Sequence, residues 1–499
     1  MARIIAGDAA LRLIGQSLTP PLRAIAASLG PSGRVSLHEG AQGSVADART
    51  GVAIARAISC DEGPWSVAPR LLKETLVEAE RDLGDGTARL AVIMGATLRA
   101  GLRLVAAGFP PGALADGILA ALPRVRADIA RQRIDEPDLV QVAAGAGADG
   151  ALAAALSDAT RNVGPTGIID IVAGTRQGLE TRLGEGFILE GEAITPDFAP
   201  QGAEAISFDP VHVLVADEMI EDFGPLVPIL EGFAMRGKAL AVIARDIRGA
   251  ALATLVRNKR DNYLRIMAMR PQAVAQAAAD GLEDLAIATG ATLIADRFGT
   301  SIAGLRPSHL GRAGAFRFTR NRAIFAQPAG DAAAVSARAT WLAAAAEKAT
   351  YLALDRERLA RRRARLLGRW GEIELAGASA RQTEALATTA RATLAALFSA
   401  QEGGAVAGGG LALTEIAARF DPASGDGAAS AEDAARICIR AGLGEVGRQL
   451  ARHAGGDRGP AAPEAAACPL DPLPMTQAIA ERALSLAATL IRIDILICS

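Results

Sequence analysis

The chain is 499 residues long, half of them hydrophobic, 22% charged and 3% aromatic, which is more than one core holds, since single cores stop growing near roughly 250 to 300 residues. Its interior must therefore be built mainly from Ala, Val, Leu and Ile. A net charge of −2 removes the global attraction expected of a nucleic-acid binder. The four cysteines, Cys60, Cys438, Cys468 and Cys498, lie far apart with no CxxC pair and the four histidines are scattered, a pattern of neither a disulfide framework nor a zinc site.

The opening "MARIIAGDAALRLIGQSL" has no basic segment leading into an unbroken apolar run and a small-residue cleavage site, so the expectation is a cytoplasmic chain without a leader. No window reaches the roughly 18 uninterrupted apolar residues of a membrane span. Arg or Asp breaks each candidate, including "ALSLAATLIRIDILICS", and no membrane partner is expected. From residue 8 to 130 the apolar spacing is helical, with one hairpin signal in "GRVSLHEGAQGSVADARTGVAI". Residues 67–80 place Val67, Leu71, Leu72, Leu76 and Ala79 on one face, while 88–107 is apolar almost all round and predicts a buried helix. The period then changes. "VHVLVA" (211–216), "ALAVIA" (239–244), "LRIMAM" (264–269) and "ATLIAD" (291–296) are short apolar runs separated by helical stretches such as 222–235 and 247–258. That alternation predicts a mainly parallel sheet covered by helices. From about 342 the pattern is helical again, through the Arg-rich run 356–365, read as a solvated face beside Asp355 and Glu357, and a long Ala-rich helix ending at "EGGAVAGGG". Ile491, Ile493, Ile495 and Ile497 alternate like an edge strand, which seeks a partner. The architecture this implies is multidomain, α and α/β, with an α/β domain inserted into a helical one made from both chain ends.

Three glycine turns could carry chemistry. In "RDLGDGTARL" (81–90), Asp85 stands between Gly84 and Gly86 at the mouth of the apolar helix. A helix N-terminus there offers free N–H groups to a phosphate, and the carboxylate could hold the phosphate's Mg²⁺. Taken alone, the turn is better explained by plain N-capping. "SLGPSGR" (28–34) is a Gly C-cap followed by Pro, and "GGAVAGGG" (403–410) is a flexible joint or a surface bared for a base or sugar. Neither GxxxxGK[ST] nor a kinase-like lysine and HRD set is present, which sets aside an unrelated phosphotransferase.

Order and spacing go further than any one turn. "LGPSGR", "TGVAIARAI", "GDGTARLAVIMGATLRAGLRLVAAGFPP", "VGPTGIIDI", "EGFILEGEAITPDF", "GFAMRGKALAVIARDIRGAALATLV", "DRERLARRRARLLG" and "EGGAVAGGGLAL" resemble, in sequence order and from about residue 3 onward, the landmarks of the bacterial group I chaperonins. The resemblance implies a helical equatorial domain at 1–130 and 404–499, a small intermediate domain at 131–184 and 370–403, and an inserted α/β apical domain at 185–369, with hinges at Gly186 and Gly368. It implies ATP and Mg²⁺ as cofactors. Asp85 matches the metal-holding carboxylate, Gly86 and Thr87 the phosphate loop, Leu29, Gly30 and Pro31 the loop packed on the nucleotide, Gly409 a ribose-side contact, and Asp471 the carboxylate on the ribose hydroxyls. The chain also departs from the family. Ala88 and Arg89 replace the loop's further threonines, removing two phosphate-side hydroxyls for which Arg89 could supply charge instead, and two aspartates expected to orient water and support the metal are replaced by Thr50 and Ala392, with Asp47 a nearby substitute for the first. Such losses could slow hydrolysis by roughly two to four orders of magnitude.

For clients, Phe198, Val227, Leu230, Leu252 and Val256 match the family's apolar groove for unfolded proteins, the last four being otherwise readable as helix residues that face the sheet, whereas Arg257, Asp197 and Ala193 stand where apolar or aromatic residues are usual. The partners implied are unfolded or partly folded proteins, further copies of the chain in a homo-oligomeric ring, and a co-chaperonin. Two functions follow from these features. One is an ATP-binding, ring-forming folding machine with weakened hydrolysis. The other is a divergent paralogue acting as a nucleotide-regulated or passive protein-binding scaffold.

Overall fold

The computed structural model describes residues 3–498 apart from 31–32, 40–44, 59–62, 165–166, 175–176, 200–204, 223, 225–226, 262, 320, 349–352, 423–429 and 455–468. The chain forms two compact units, Met1–Thr160 joined with Ala376–Ser499, and Arg161–Leu375.

The first unit is helical, and both chain ends build it. Its central helix, Thr87–Ala106, buries residues on nearly every side from Leu90 to Gly101, as its all-round apolar character requires. Around it pack Asp8–Ala26 from the N-terminal part and Ala431–His453 and Leu473–Ile491 from the C-terminal part. The contact with Ala431–His453 is close enough that a Cβ on Gly442 would stand 2.0 Å from Thr97 Oγ1. Helix Val67–Leu83 buries Ala68, Leu72, Leu76 and Ala79, with Val67 and Leu71 at the margin of that face. Each fully buried Leu contributes on the order of 2 kcal/mol. The hairpin signal becomes the antiparallel pair Ser36–Glu39 and Val45–Ala48.

The C-terminal edge strand begins later than the alternation implied. Ile491 closes its helix and is fully buried, and the strand is Ile495–Cys498, already paired antiparallel with Arg3–Ala6. Among the described residues no helix is long and apolar enough to cross a membrane. The described thiol Cys438 is free and buried, and burial pushes its pKa up to about 12.

The second unit holds a nine-stranded mixed sheet. Val211–Ile220, Ala239–Ile247 and Arg265–Pro271 run parallel, with Val227–Met235 and Gly249–Arg260 as their crossovers. The run at 291–296 does not become a strand: Ile294 makes a single bridge to Ala216 before a 3-10 turn at Asp296–Phe298. Nor is the sheet mainly parallel. The long strand Gly178–Ala193 pairs antiparallel with both Arg265–Pro271 and Arg322–Pro328, and Gly311–Phe318 joins antiparallel to Arg322–Pro328. The core here is more aromatic than the composition suggested: Phe187, Phe316, Phe318 and Phe325 are almost fully buried, and Phe316 meets Phe325 at 5.1 Å between ring centroids. The Arg-rich helix is not uniformly solvated. Arg362 is buried and bonds Asp284 at 2.8 Å and Asp280 at 2.9 Å, because a buried guanidinium is retained only where carboxylates pair with it. Gly186 and Gly368, the expected hinge positions, are joined by a Gly186 N–H to Gly368 O bond of 3.0 Å.

Candidate functional site

The turn that opens the central helix also floors a cleft of about 310 Å³ within the first unit. Helix Val67–Leu83 ends on Gly84 with φ 74°, and the next helix is preceded by Gly86 with φ 86° and no side-chain cap. Positive φ at both positions is what glycine supplies at low cost, and the tight turn leaves Asp85 half-buried between them. Asp85 therefore does not cap the helix in the ordinary way. Its carboxylate accepts from the adjoining Gly86 N–H, and the first-turn N–H groups of Thr87–Ala106 receive no side-chain cap. An uncapped, dipole-positive helix end of this kind suits an anion.

Burial pushes the Asp85 carboxyl above its usual range, against the opposing pull of Arg89 and of the Gly86 N–H. Arg89 also faces the second acid of the cleft. Its Nη1 lies 2.9 Å from Asp471 Oδ1, both side chains being 13% exposed. Asp471 is placed by a short ladder in which Leu470–Pro472 pairs antiparallel with Ala405–Ala407, Val406 opposite Asp471. Immediately after that ladder Gly409 and Gly410 take φ 64° and 77°, and a Cβ on Gly410 would stand 2.6 Å from Gly447 N. The run of glycines thus turns the chain into its next helix while leaving bare backbone at the cleft.

The structure gathers Leu29, Gly30, Asp85, Gly86, Thr87, Gly409 and Asp471 around this one cleft; Pro31 lies outside the described residues. Leu29, with Val446 and Leu450, supplies an apolar wall. Gly30 packs under Leu450 and takes φ 79°, a conformation glycine adopts at low cost. Thr50 and Ala392 also line the cleft. Thr50 Oγ1 accepts from Ala53 N–H at 3.2 Å and caps helix Gly51–Ala57. Asp47 does not line it, and is held instead by Arg49 at 2.8 Å and Arg381 at 3.7 Å. Sequence reasoning missed Thr388 and Thr389. With Ala385 and Ala392 they form one cleft-facing stripe on helix Ala380–Gly403 at spacing i, i+3, i+4, i+7, a periodicity that was available but hidden by the helix's uniform Ala and Thr content.

The client candidates lie in the second unit and do not form one exposed surface. Phe198 and Leu230 are core residues, 0% and 5% exposed, Leu252 and Val256 pack partly buried against that core, and Val227 is 40% exposed. Phe198 is covered by the Lys259 ammonium 4.6 Å from its ring centroid, and Asp197 pairs with Arg260 at 2.8 Å. Arg257 is exposed. Among the described residues no group of three His, Cys, Asp or Glu side chains is arranged to hold a metal by itself. Mg²⁺ in nucleotide sites takes one or two carboxylates plus phosphate oxygens, and Asp85 meets that lesser requirement.

No family model matches the chain. The chaperonin GroEL 2 of Cereibacter sphaeroides is 30% identical over 435 residues, covering 86% of this chain and 80% of that protein. Among solved structures, the chaperonin gp146 from the bacteriophage EL 2 (Pseudomonas aeruginosa), crystallised in the presence of ATP-BeFx, matches over 99% of both chains at 18% identity. Its TM-scores are 0.68 in crystal form I and 0.66 in form II, a likeness of fold. At the identity and coverage of the Cereibacter relative, the chain belongs to the bacterial group I chaperonins, protein-folding chaperones, as a divergent member.

Proposed function

We propose that this chaperonin binds ATP with Mg²⁺ in the cleft of its first unit, hydrolyses it slowly, and works as a ring that holds unfolded proteins on its second unit. The carrying observation is the convergence on one cleft of an uncapped helix N-terminus, a half-buried Asp85, bare glycine backbone and Asp471. In this reading Thr87 and the adjoining backbone cradle phosphates, Asp471 accepts from the ribose hydroxyls, and Leu29, Val446 and Leu450 cover the base. Bound Mg-ATP would supply a hydrolysable phosphoanhydride; the chain's own part is to orient it. The first unit would then be the equatorial domain with part of an intermediate domain, and the second mainly the apical one.

Assembly is supported by two small sheets of the first unit with exposed apolar faces. Ile4 and Ile497 stand directly opposite each other on the terminal pair, 66% and 67% exposed, and Leu37 and Val45 share the exposed face of the hairpin at 70% and 58%. Two different patches on one chain, each complementary to the other rather than to itself, are what a head-to-tail ring requires. Leu37→Asp combined with Ile497→Asp is expected to convert the oligomer to monomer by light scattering, with the far-UV spectrum retained. An unchanged mass would remove these sheets from the interface.

Client binding is supported by exposed Val227, Met235 and Tyr263, which lie on or beside the crossover helices Val227–Met235 and Gly249–Arg260. The test is suppression of aggregation of a denatured client. A folding machine suppresses aggregation and releases the client on addition of Mg-ATP. The absence of catalytic carboxylates at Thr50 and Ala392 favours a second reading, a holding scaffold, for which suppression is indifferent to ATP. Failure to suppress aggregation at all would rule out both.

A further inference from the structure

Arg89 has no place in the nucleotide set that the family resemblance supplies, yet the structure puts it at the centre of the cleft floor. The guanidinium lies beneath the glycine turn: a Cβ on Gly86 would be 3.6 Å from Nη2, and that same nitrogen is 3.6 Å from Met475 Sδ. Nη1 lies 2.9 Å from Asp471 Oδ1 and is itself buried, so the ion pair holds the guanidinium under the cleft floor. The side chain lines the cleft and is largely buried, so its charge is fixed in place rather than free to swing into solvent.

The charge balance of the floor follows. Asp85 and Asp471 alone would present two negative charges to an incoming polyphosphate, a repulsion that a divalent cation would have to offset. With the Arg89 guanidinium beside both carboxylates the floor carries a single net negative charge. Burial by itself would weaken the guanidinium's hold on its proton, but the neighbouring Asp471 and Asp85 carboxylates more than compensate, so it stays charged. Guanidinium groups bind phosphate oxygens through paired N–H donors.

We propose that Arg89 is a resident counter-cation for the phosphates, so that this cleft holds a nucleoside diphosphate or triphosphate with little dependence on a divalent cation. Metal is then required for the chemical step but not for occupancy. The inference rests on the nucleotide reading of the cleft and deepens it.

The test is calorimetric titration of ADP into the full-length protein, with Mg²⁺ and with excess EDTA, for the wild type, Arg89→Lys and Arg89→Ala, alongside the melting temperature of each without nucleotide. The wild-type Kd in EDTA is expected within about threefold of that in Mg²⁺, whereas Arg89→Ala weakens at least roughly tenfold in EDTA and recovers with Mg²⁺, Lys falling between, as befits loss of one charge-assisted bond. Wild-type binding that disappears in EDTA overturns the inference and leaves the nucleotide reading standing. Absence of ADP binding under both conditions overturns both. Should Arg89→Ala lower the melting temperature yet tolerate EDTA as the wild type does, the side chain is a structural tie between the strand Leu470–Pro472 and the central helix, and the proposal falls.

Discussion

Thr50→Asp with Ala392→Asp is expected to accelerate phosphate release by roughly 10² to 10⁴ over the parent protein, the range for restoring both a water-orienting group and a charge-stabilising group. Both positions line the cleft whose floor is Asp85, so the new carboxylates arrive where the phosphates would lie. Neither change should disturb the fold. Thr50 caps a helix through its hydroxyl, accepting from Ala53 N–H, and Asp is at least as good an N-cap. Ala392 is half-buried on the cleft-facing stripe of helix Ala380–Gly403, one turn beyond Thr388 and Thr389, where the added carboxylate points to polar space. The single variants should each gain less than about tenfold, because groups that act on one water do not contribute independently. Nucleotide affinity should stay level or fall, since two more negative charges face the phosphates. A wild type already turning over as fast as the double variant would show that some other group orients the water, and Asp47 would not be that group, held as it is by Arg49 and Arg381.

What could be read from the sequence was set by periodicity and by turn chemistry. The split helical body was legible because apolar spacing at both chain ends has the helical period, and the buried central helix because residues 88–107 have almost no polar side. The second unit was only half legible. Strands buried on both faces, such as Val211–Ile220, announce themselves as apolar runs, but Gly178–Ala193 is 16 residues rich in Glu and Gly and Gly311–Phe318 alternates weakly. Their strand character comes from pairing, which a single sequence does not display. Conversely "ATLIAD" reads as a strand yet makes one bridge, because only Ile294 reaches a neighbour with free ladder positions.

For the cleft, the glycine turns were visible as unusual residues, whereas the ion pair of Arg89 with Asp471 joins positions 382 residues apart, and no local rule connects them. Burial misled in the client surface: Phe198 and Leu230 are apolar at the expected positions but face inward, and apolar identity does not say which side of a helix or turn a neighbour will cover.

Asp85→Asn separates binding from chemistry. In the accelerated background it should reduce phosphate release by roughly 10² to 10⁴, the contribution of a metal whose protein carboxylate has been removed. Occupancy should not suffer. Without metal a carboxylate beside phosphate oxygens repels them, so the Asn variant is expected to bind ADP in EDTA as tightly as the parent or tighter, with Arg89 still in place. Stability gives a second, independent readout with a definite sign. Burial raises the Asp85 carboxyl in the folded state above its value in the unfolded chain, so the folded protein holds that proton more firmly and loses stability as pH climbs from the ordinary carboxylate range through the raised value. Asn carries no such penalty. The variant should therefore melt no lower than the parent at neutral pH, with a difference that grows across that window and then levels. A capping carboxylate behaves oppositely, its loss costing about 1 kcal/mol. An Asp85→Asn protein that melts several degrees lower while keeping its turnover would return this residue to a structural role and take the metal out of the cleft.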